Sequence, residues 1–377
     1  MKKILILIVI SLLPHCSFDN KSGIWQNNNT IKNKDKKYEN FKTLYIEEKL
    51  FDQIIEPIAN LDIILKPKKR NLVWLNKNYN SSNNLDNLSY KNLNEIIFKS
   101  KKLNKRKIND NILSDGDKIV IANDKGDIIF YSINNKNISF KYNFYRKKFK
   151  NIEKKLNIII NDKIIYISDN IGYLYALDYN QKKLLWAKNY KIPFRSNLKV
   201  FKDKIIIADT NNVLYLVNKL NGELFRSIPT EENFLKNKFS NSLALNKQSL
   251  FFLNTYGSVY STNFNGDIRW FINVNRSQSL KNSNLFYSNP IVINEDKMVI
   301  STDTNLYIMN ANNGVLVKKI PINSIVKPII ANQNLILITK KNLLVNLDLS
   351  TGNIIYSLDI NSQIANFLKS KKKSRLK

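Results

Sequence analysis

One unit recurs along this chain, and its spacing limits the fold more than any other feature. The clearest copy spans the 35 residues from Leu156 to Tyr190. Three apolar runs, Leu156–Ile160, Ile164–Ser168 and Tyr173–Leu177, are separated by turn residues, and a fourth begins at Leu184–Trp186. Short runs rich in Ile, Tyr and Leu, broken by Asn, Asp and Gly, read as antiparallel strands in a meander. The third run carries a Tyr three residues before an Asp or Asn, at Tyr131/Asn134, Tyr175/Asp178, Tyr215/Asn218, Tyr260/Asn263 and Tyr307/Asn310. A sixth copy has Val345 before Asp348. Successive anchors lie 38 to 47 residues apart, the length of a four-stranded propeller blade.

Two further markers keep step with the anchor. Upstream, Asp-Lys precedes the second run at Asp117, Asp162, Asp203 and Asp296, with Gln248 and Gln333 in the other two copies. Downstream, a turn glycine follows at Gly222, Gly266, Gly314 and Gly352, where a tight hairpin needs positive φ. Trp186 and Trp270 occupy matching places in the fourth run and are expected to pack between blades. The chain therefore reads as all-β, a β-propeller of four-stranded antiparallel blades with six clear repeats from Ile108 to Leu358. Only nineteen residues follow Leu358, too few for another blade.

The chain ends carry other signals. Residues 1–16 read as a lipoprotein-type signal peptide: Lys2 and Lys3 form the basic start and Ile4–Leu13 an apolar run too short to span a bilayer. The run stops at Cys16, the single cysteine, placed as a lipidation site, with His15 where a small residue is usual. Residues 17–94 read as an N-terminal tether and docking segment. Within it Ile54–Lys66 is apolar enough to dock on the ring, and Asn76–Asn92 is a loop. Residues 95–377 read as the propeller, with Glu95–Lys101 as an orphan outer strand.

Composition excludes several function classes. One Cys and one His leave little room for metal, disulfide or thiol chemistry, so no cofactor is expected. No phosphate-cradling glycine loop, zinc-protease motif or nucleophile elbow occurs. The net charge is +30, but the lysines are spread over turns rather than gathered on one aromatic-laced face, so nucleic acid is not the expected partner. Isolated acids such as Asp169 and Asp303 are read as turn formers.

The blades resemble the quinoprotein-type (PQQ-like) repeat. Ala176-Leu177-Asp178 through Trp186 matches it except that Lys182 or Lys183 stands at the turn glycine, and Asn263 through Trp270 matches its second half. One family with this repeat is the quinone-dependent dehydrogenases, which use an Asp base, calcium ligands and often a Cys pair. The chain is more similar to the BamB lipoprotein family, an enzyme-free scaffold of the outer-membrane β-barrel assembly machinery. That resemblance implies no catalytic residues, a lipid anchor on Cys16 and residence on the periplasmic face of a Gram-negative outer membrane, since Ser17 is not the Asp that retains lipoproteins in the inner membrane. It also implies a ring of eight blades, so an incomplete or gapped ring is expected here, with Glu95–Lys101 near the gap. Tyr190-Lys-Ile-Pro-Phe-Arg195 resembles the segment through which that family contacts the barrel-forming subunit. The implied partner-binding residues are Ile192, Phe194 and Arg195, with Phe239 and Asn241 where the family has an acidic residue. Arg195→Glu is then expected to weaken partner recovery by about 2 kcal/mol or more without loss of thermal stability. The alternatives are a PQQ-dependent dehydrogenase and a generic envelope propeller that binds polysaccharide or peptide.

Overall fold

The structure is a computed structural model that describes residues 16–18, 25–27, 49–90, 99–100, 102–103, 106–145, 149, 151–232, 240–275, 286–362 and 364. A first compact unit ends at Lys49, and its described part is a two-stranded ribbon of β1 (Cys16–Phe18) and β2 (Trp25–Asn27). Strands of three residues leave no periodicity to read, so a plain tether is what the sequence suggests there.

The second unit, Leu50–Lys377, holds six four-stranded antiparallel sheets, each a consecutive meander. Blade one comprises β3 (Ile108–Ser114), β4 (Lys118–Asn123), β5 (Asp127–Ser132) and β6 (Asn137–Asn143). Blade two comprises β7 (Leu156–Asn161), β8 (Ile164–Asp169), β9 (Tyr173–Asp178) and β10 (Lys183–Asn189). Blade three comprises β11 (Lys199–Phe201), β12 (Lys204–Ala208), β13 (Leu214–Asn218) and β14 (Leu224–Ile228). Blade four comprises β15 (Ser242–Leu245), β16 (Leu250–Leu253), β17 (Ser258–Thr262) and β18 (Ile268–Asn273). Blade five comprises β19 (Val292–Asn294), β20 (Lys297–Ser301), β21 (Leu306–Asn310) and β22 (Leu316–Ile320). Blade six comprises β23 (Ile329–Ala331), β24 (Asn334–Ile338), β25 (Leu343–Asp348) and β26 (Ile354–Asp359). The first strands touch in series, β3 to β7, β11, β15, β19 and β23, which makes them the inner strands of a propeller.

Burial follows from this geometry. A blade is covered on both faces by its neighbours, so its middle strands are buried at nearly every position, as in β12, β13, β16 and β17. The fourth strand lies at the rim, and β10 alternates exposed and shielded residues accordingly. The Asp or Asn of the repeat closes the turn after the third strand. Asp178 Oδ1 accepts from the amides of Asn180 and Gln181, and Asn263 Oδ1 from those of Asn265 and Asp267.

Blade one departs from the expected register. Tyr175, Tyr215, Tyr260 and Tyr307 pair with Ile167, Ile207, Phe252 and Ile300, and in blade one the residue paired in that way, with Ile121, is Ile129. Tyr131 sits two residues further on. The reason is that Ser132, not Asn134, closes this turn, its Oγ accepting from the amide of Asn135.

The seams between blades are built alike. Trp186 of β10 lies over Gly222 in the next blade and donates from Nε1 to Lys219 O at 3.1 Å. A Cβ on Gly222, whose φ is +70°, would stand 2.5 Å from the indole. Arg226 over Gly266, Trp270 over Gly314 and Lys318 over Gly352 repeat the arrangement. Lys136 and Lys182, with φ +52° and +56°, themselves adopt the left-handed turn conformation where the other four copies have glycine.

The segment before blade one is the largest departure from the sequence reading. Phe51 donates its amide to Pro321 O, and Ile55 pairs with Ser357 on the outer strand of blade six. Ile64 O accepts from Asn332 Nδ2. These contacts use backbone groups of the segment, and its apolar side chains Ile54, Ile58, Ile64 and Leu65 stay exposed. The chain then enters the channel. Residues 74–84, read from Asn76 on as a loop, hydrogen-bond to the inner strand of all six blades. Trp74 exchanges both backbone bonds with Ser114 of β3, and Leu75 O accepts from Ile160 N of β7. Ser81 O and Ser82 O accept from Leu245 N of β15 and Ile293 N of β19. Asn84 exchanges side-chain bonds with the backbone of Ile330 in β23, and Lys199 of β11 donates to Asn80 O at 2.8 Å. The segment has too few apolar residues to announce its own burial. The blade count stays at six among the described residues, and Glu95–Lys101 falls outside them except for Lys99 and Ser100, which are not in a strand.

The channel lysines give a pH dependence. Burial holds Lys327 down at about 8, and burial, with the Lys327 charge adding to it, holds Lys199 well below the usual lysine range. Unfolding returns both to about 10.5, so between these values the folded chain binds fewer protons and its stability rises with pH. Above about 10 the slope reverses. There the unfolded tyrosines ionise, while Tyr215 and Tyr260, raised by burial and then by Asp209 and Glu231, stay protonated in the fold. Thermal midpoints measured across this range should therefore climb and then fall. Lys327→Met should flatten the climb, and an unchanged profile would contradict the assignment.

Candidate protein-binding face

In each meander the loop entering the first strand and the turn after the second strand lie at the same end. Those turns are closed by one side chain per blade, namely Asn123, Asp169, Asp209, Asn254, Thr302 and Thr339. Asp169 Oδ1 accepts from the amides of Ile171, Gly172 and Tyr173, so it is a turn former, as expected. Its other oxygen accepts from Tyr145 and Tyr175. Asp209 does the same with Asn211, Val213 and Tyr215. At Asp303 it is the neighbouring Thr302 that holds the turn, its Oγ1 accepting from Thr304 and Asn305 amides.

The loop from Tyr190 to Leu198 crosses between blades two and three on this face. Its backbone is pinned by Phe194 N to Asp169 O, Thr210 N to Pro193 O and Arg195 N to Ala208 O. Gly172, at φ +105°, permits the crossing, because a Cβ there would meet the Ile192 backbone at 3.0 Å. Phe194 is 4% exposed and packs edge-on against Tyr190 and Tyr215. It supports the loop from beneath. Lys191 is exposed, and Ile192, Pro193 and Arg195 are half-buried, so they form the surface of the loop.

Arg195 and Asn241, singled out separately, meet here. Arg195 Nε donates to Asn241 Oδ1 at 2.8 Å, and its terminal nitrogen donates to Thr210 O and Asn212 Oδ1. Asn241 Nδ2 donates to the same Asn212 oxygen, and Asn212 Nδ2 reaches Glu231 O and Thr255 Oγ1. Asn212 and Thr255 are fully buried and Asn241 is 1% exposed, so this is an interior network joining blades three and four. Burial lowers the Arg195 pKa, partly countered by Asp209. A carboxylate in place of the guanidinium would face three acceptors that Arg195 now satisfies. Arg195→Glu is therefore expected to cost folding stability, contrary to the unchanged thermal stability expected from sequence. Burial pushes Glu231 up, but hydrogen bonds from Ser258, Tyr260 and Asn254 outweigh it and hold the carboxyl below its usual range. Phe239 lies outside the described residues.

Sequence reasoning missed Asn212 and Thr255. The available signal was the polar residue that ends the second strand in every copy, which marks the end of the blade where these residues gather. Among the described residues no three His, Cys, Asp or Glu are grouped to hold a metal ion, and no helix is long and apolar enough to cross a membrane.

The family profile described as outer membrane protein assembly factor BamB matches residues 151–357, more than half of the chain. The chain belongs to the BamB family. The match covers blades two to six and includes Ile192, Phe194, Arg195 and Asn241, while the channel segment and blade one fall before it. The crystal structure of BamB from Moraxella catarrhalis aligns with a TM-score of 0.55 at 14% identity, over 66% of this chain and 75% of that one. At that identity the likeness shows a shared BamB-type propeller fold. No curated protein matches the chain.

Proposed function

We propose that this BamB-family chain is a non-enzymatic scaffold of the outer-membrane β-barrel assembly machinery, held by lipid on Cys16 at the periplasmic face. It binds the barrel-forming subunit through the Lys191–Arg195 loop. The observation that carries this reading is the loop itself. A half-exposed Ile192 and Pro193 stand beside an arginine fixed by Asn241, over a buried Phe194 that cannot yield. A rigid apolar pair next to an oriented guanidinium suits a protein partner, since little order is lost on binding. The guanidinium can still pair with an acidic side chain of the partner.

Affinity capture from solubilised envelope tests the reading. Recovery of the barrel-forming subunit is expected, and recovery of glycan alone would favour a general envelope-binding propeller. Saturable quinone binding with calcium and alcohol-dependent dye reduction would overturn the scaffold role in favour of a dehydrogenase.

The anchor has its own test. One acyl chain holds a protein to a membrane only marginally, whereas several hold it firmly. Cys16→Ser should shift the protein from the membrane fraction to the soluble periplasm. Retention in the membrane fraction would refute lipid anchoring at this residue.

A further inference from the structure

Inner strands of a propeller leave polar backbone groups facing the channel, and each must find a partner or water. Here those partners come from one short piece of the chain. Ile160, Leu245 and Ile293 amides go to Leu75, Ser81 and Ser82 carbonyls, and the Ile330 amide goes to Asn84 Oδ1. Asn83 is fully buried and donates from Nδ2 to both Leu243 O and Ile291 O. Lys199, which is buried, and Lys327, which is half-buried, complete the lining. Lys199 Nζ donates to Asn80 O and to Asn83 Oδ1 at 2.6 Å, and Lys327 Nζ donates to Asn83 O. Their acceptors are amide oxygens of the inserted segment rather than carboxylates. Removing that segment would leave two ammonium groups facing one channel with no acceptor in place, which desolvation and like charge both oppose.

We infer that the central channel is a binding site for a short, turn-rich, amide-rich peptide, and that residues 74–84, with turn bonds from Tyr79 N to Asn76 O and Asn83 N to Asn80 O, are its built-in occupant. Recognition runs through separate hydrogen bonds to each inner strand in turn, with Lys199 and Lys327 donating to carbonyl oxygens of the segment. Asn80-Ser-Ser-Asn-Asn84 fits because it carries amide and hydroxyl groups and no charge. An apolar residue in place of Asn83 would remove the side-chain acceptor of Lys199 and the two bonds that Asn83 Nδ2 donates. The site also has a mechanical role. It joins the inner strands of blades one to six, while the preceding residues hold the outer edge of blade six at Ile55 and Ser357. One continuous segment thus ties the last blade to the first. This is separate from the partner face, which lies on the loops entering blades three and four.

The test cuts the full chain on both sides of the segment. Specific protease sites are introduced next to Lys68, which is exposed, and after Tyr90, which is 67% exposed. After cleavage the excised segment should co-elute with the ring, and a fluorescent synthetic copy of residues 69–90 should exchange into it saturably. Lys199→Met with Lys327→Met should abolish retention. Release of the segment on cleavage, whether or not the ring stays folded, would overturn the proposal.

A second measurement needs no cleavage. Asn83 has φ +60°, so Asn83→Gly removes the side chain without adding backbone strain. Amide exchange at Leu245, Ile293 and Ile330 should quicken together by about a hundredfold, as expected for losing several buried hydrogen bonds, while Ile165 in β8 stays protected. Unchanged exchange at those three amides would equally overturn it.

Discussion

Trp186→Ala is expected to lower the unfolding free energy of the propeller by about 3–5 kcal/mol, the range for truncating a buried large aromatic. The indole is 9% exposed and fills the seam between blades two and three, against Tyr166 and the bare Cα of Gly222. Alanine leaves a cavity that the neighbouring strands cannot close, because their register is fixed on both sides. The same removal strands Lys219 O without its indole donor. A finer comparison separates packing from hydrogen bonding. Trp186→Phe should cost about 1 kcal/mol more than Trp270→Phe, because a net hydrogen bond contributes about that much. Trp270 Nε1 is buried and meets no acceptor among the described residues, so phenylalanine loses nothing there. Urea unfolding of the four proteins checks both points. A Trp186→Ala loss under about 1 kcal/mol would show that the seam repacks.

Phe194→Ala is expected to cost a similar amount, about 3–5 kcal/mol, and to weaken partner binding only indirectly. The ring lies within the core shared by Trp186, Leu198, Ile207 and Tyr215. Its backbone bridges Asp209 on the next blade. Losing the ring removes the floor of the loop, so the Ile192 and Arg195 surface becomes mobile and both properties fall together. A variant with wild-type stability and no partner recovery would place Phe194 at the contact surface instead.

Most of the fold was legible because a blade is a local object. Strand, turn, strand follow one another within about 45 residues, and each turn needs a residue type that sequence shows directly, such as Asp178, Asn218 or Gly222. Tyr131 misled because one blade closes its turn with Ser132, and an Asn two residues later imitates the usual anchor. The channel segment was illegible for a physical reason. Its burial depends on amide hydrogen bonds to six strands distant in sequence, and a polar stretch such as Asn80–Asn84 looks the same in water as in a channel. Of the site, the loop at Ile192–Arg195 stood out as an interruption of the strand pattern. What sequence could not show is the division of labour within it. Phe194 lies beneath, Asn241 orients the arginine, and Ile192 is left at the surface.

That division points to the most direct measurement. Ile192→Asp changes a half-exposed side chain that takes no part in the Arg195 network, so the thermal midpoint should stay at the wild-type value. If the loop is the contact, affinity for the purified periplasmic part of the barrel-forming subunit should fall by about 2 kcal/mol or more, as for a central interface anchor. Wild-type affinity in a variant of wild-type stability would contradict the account.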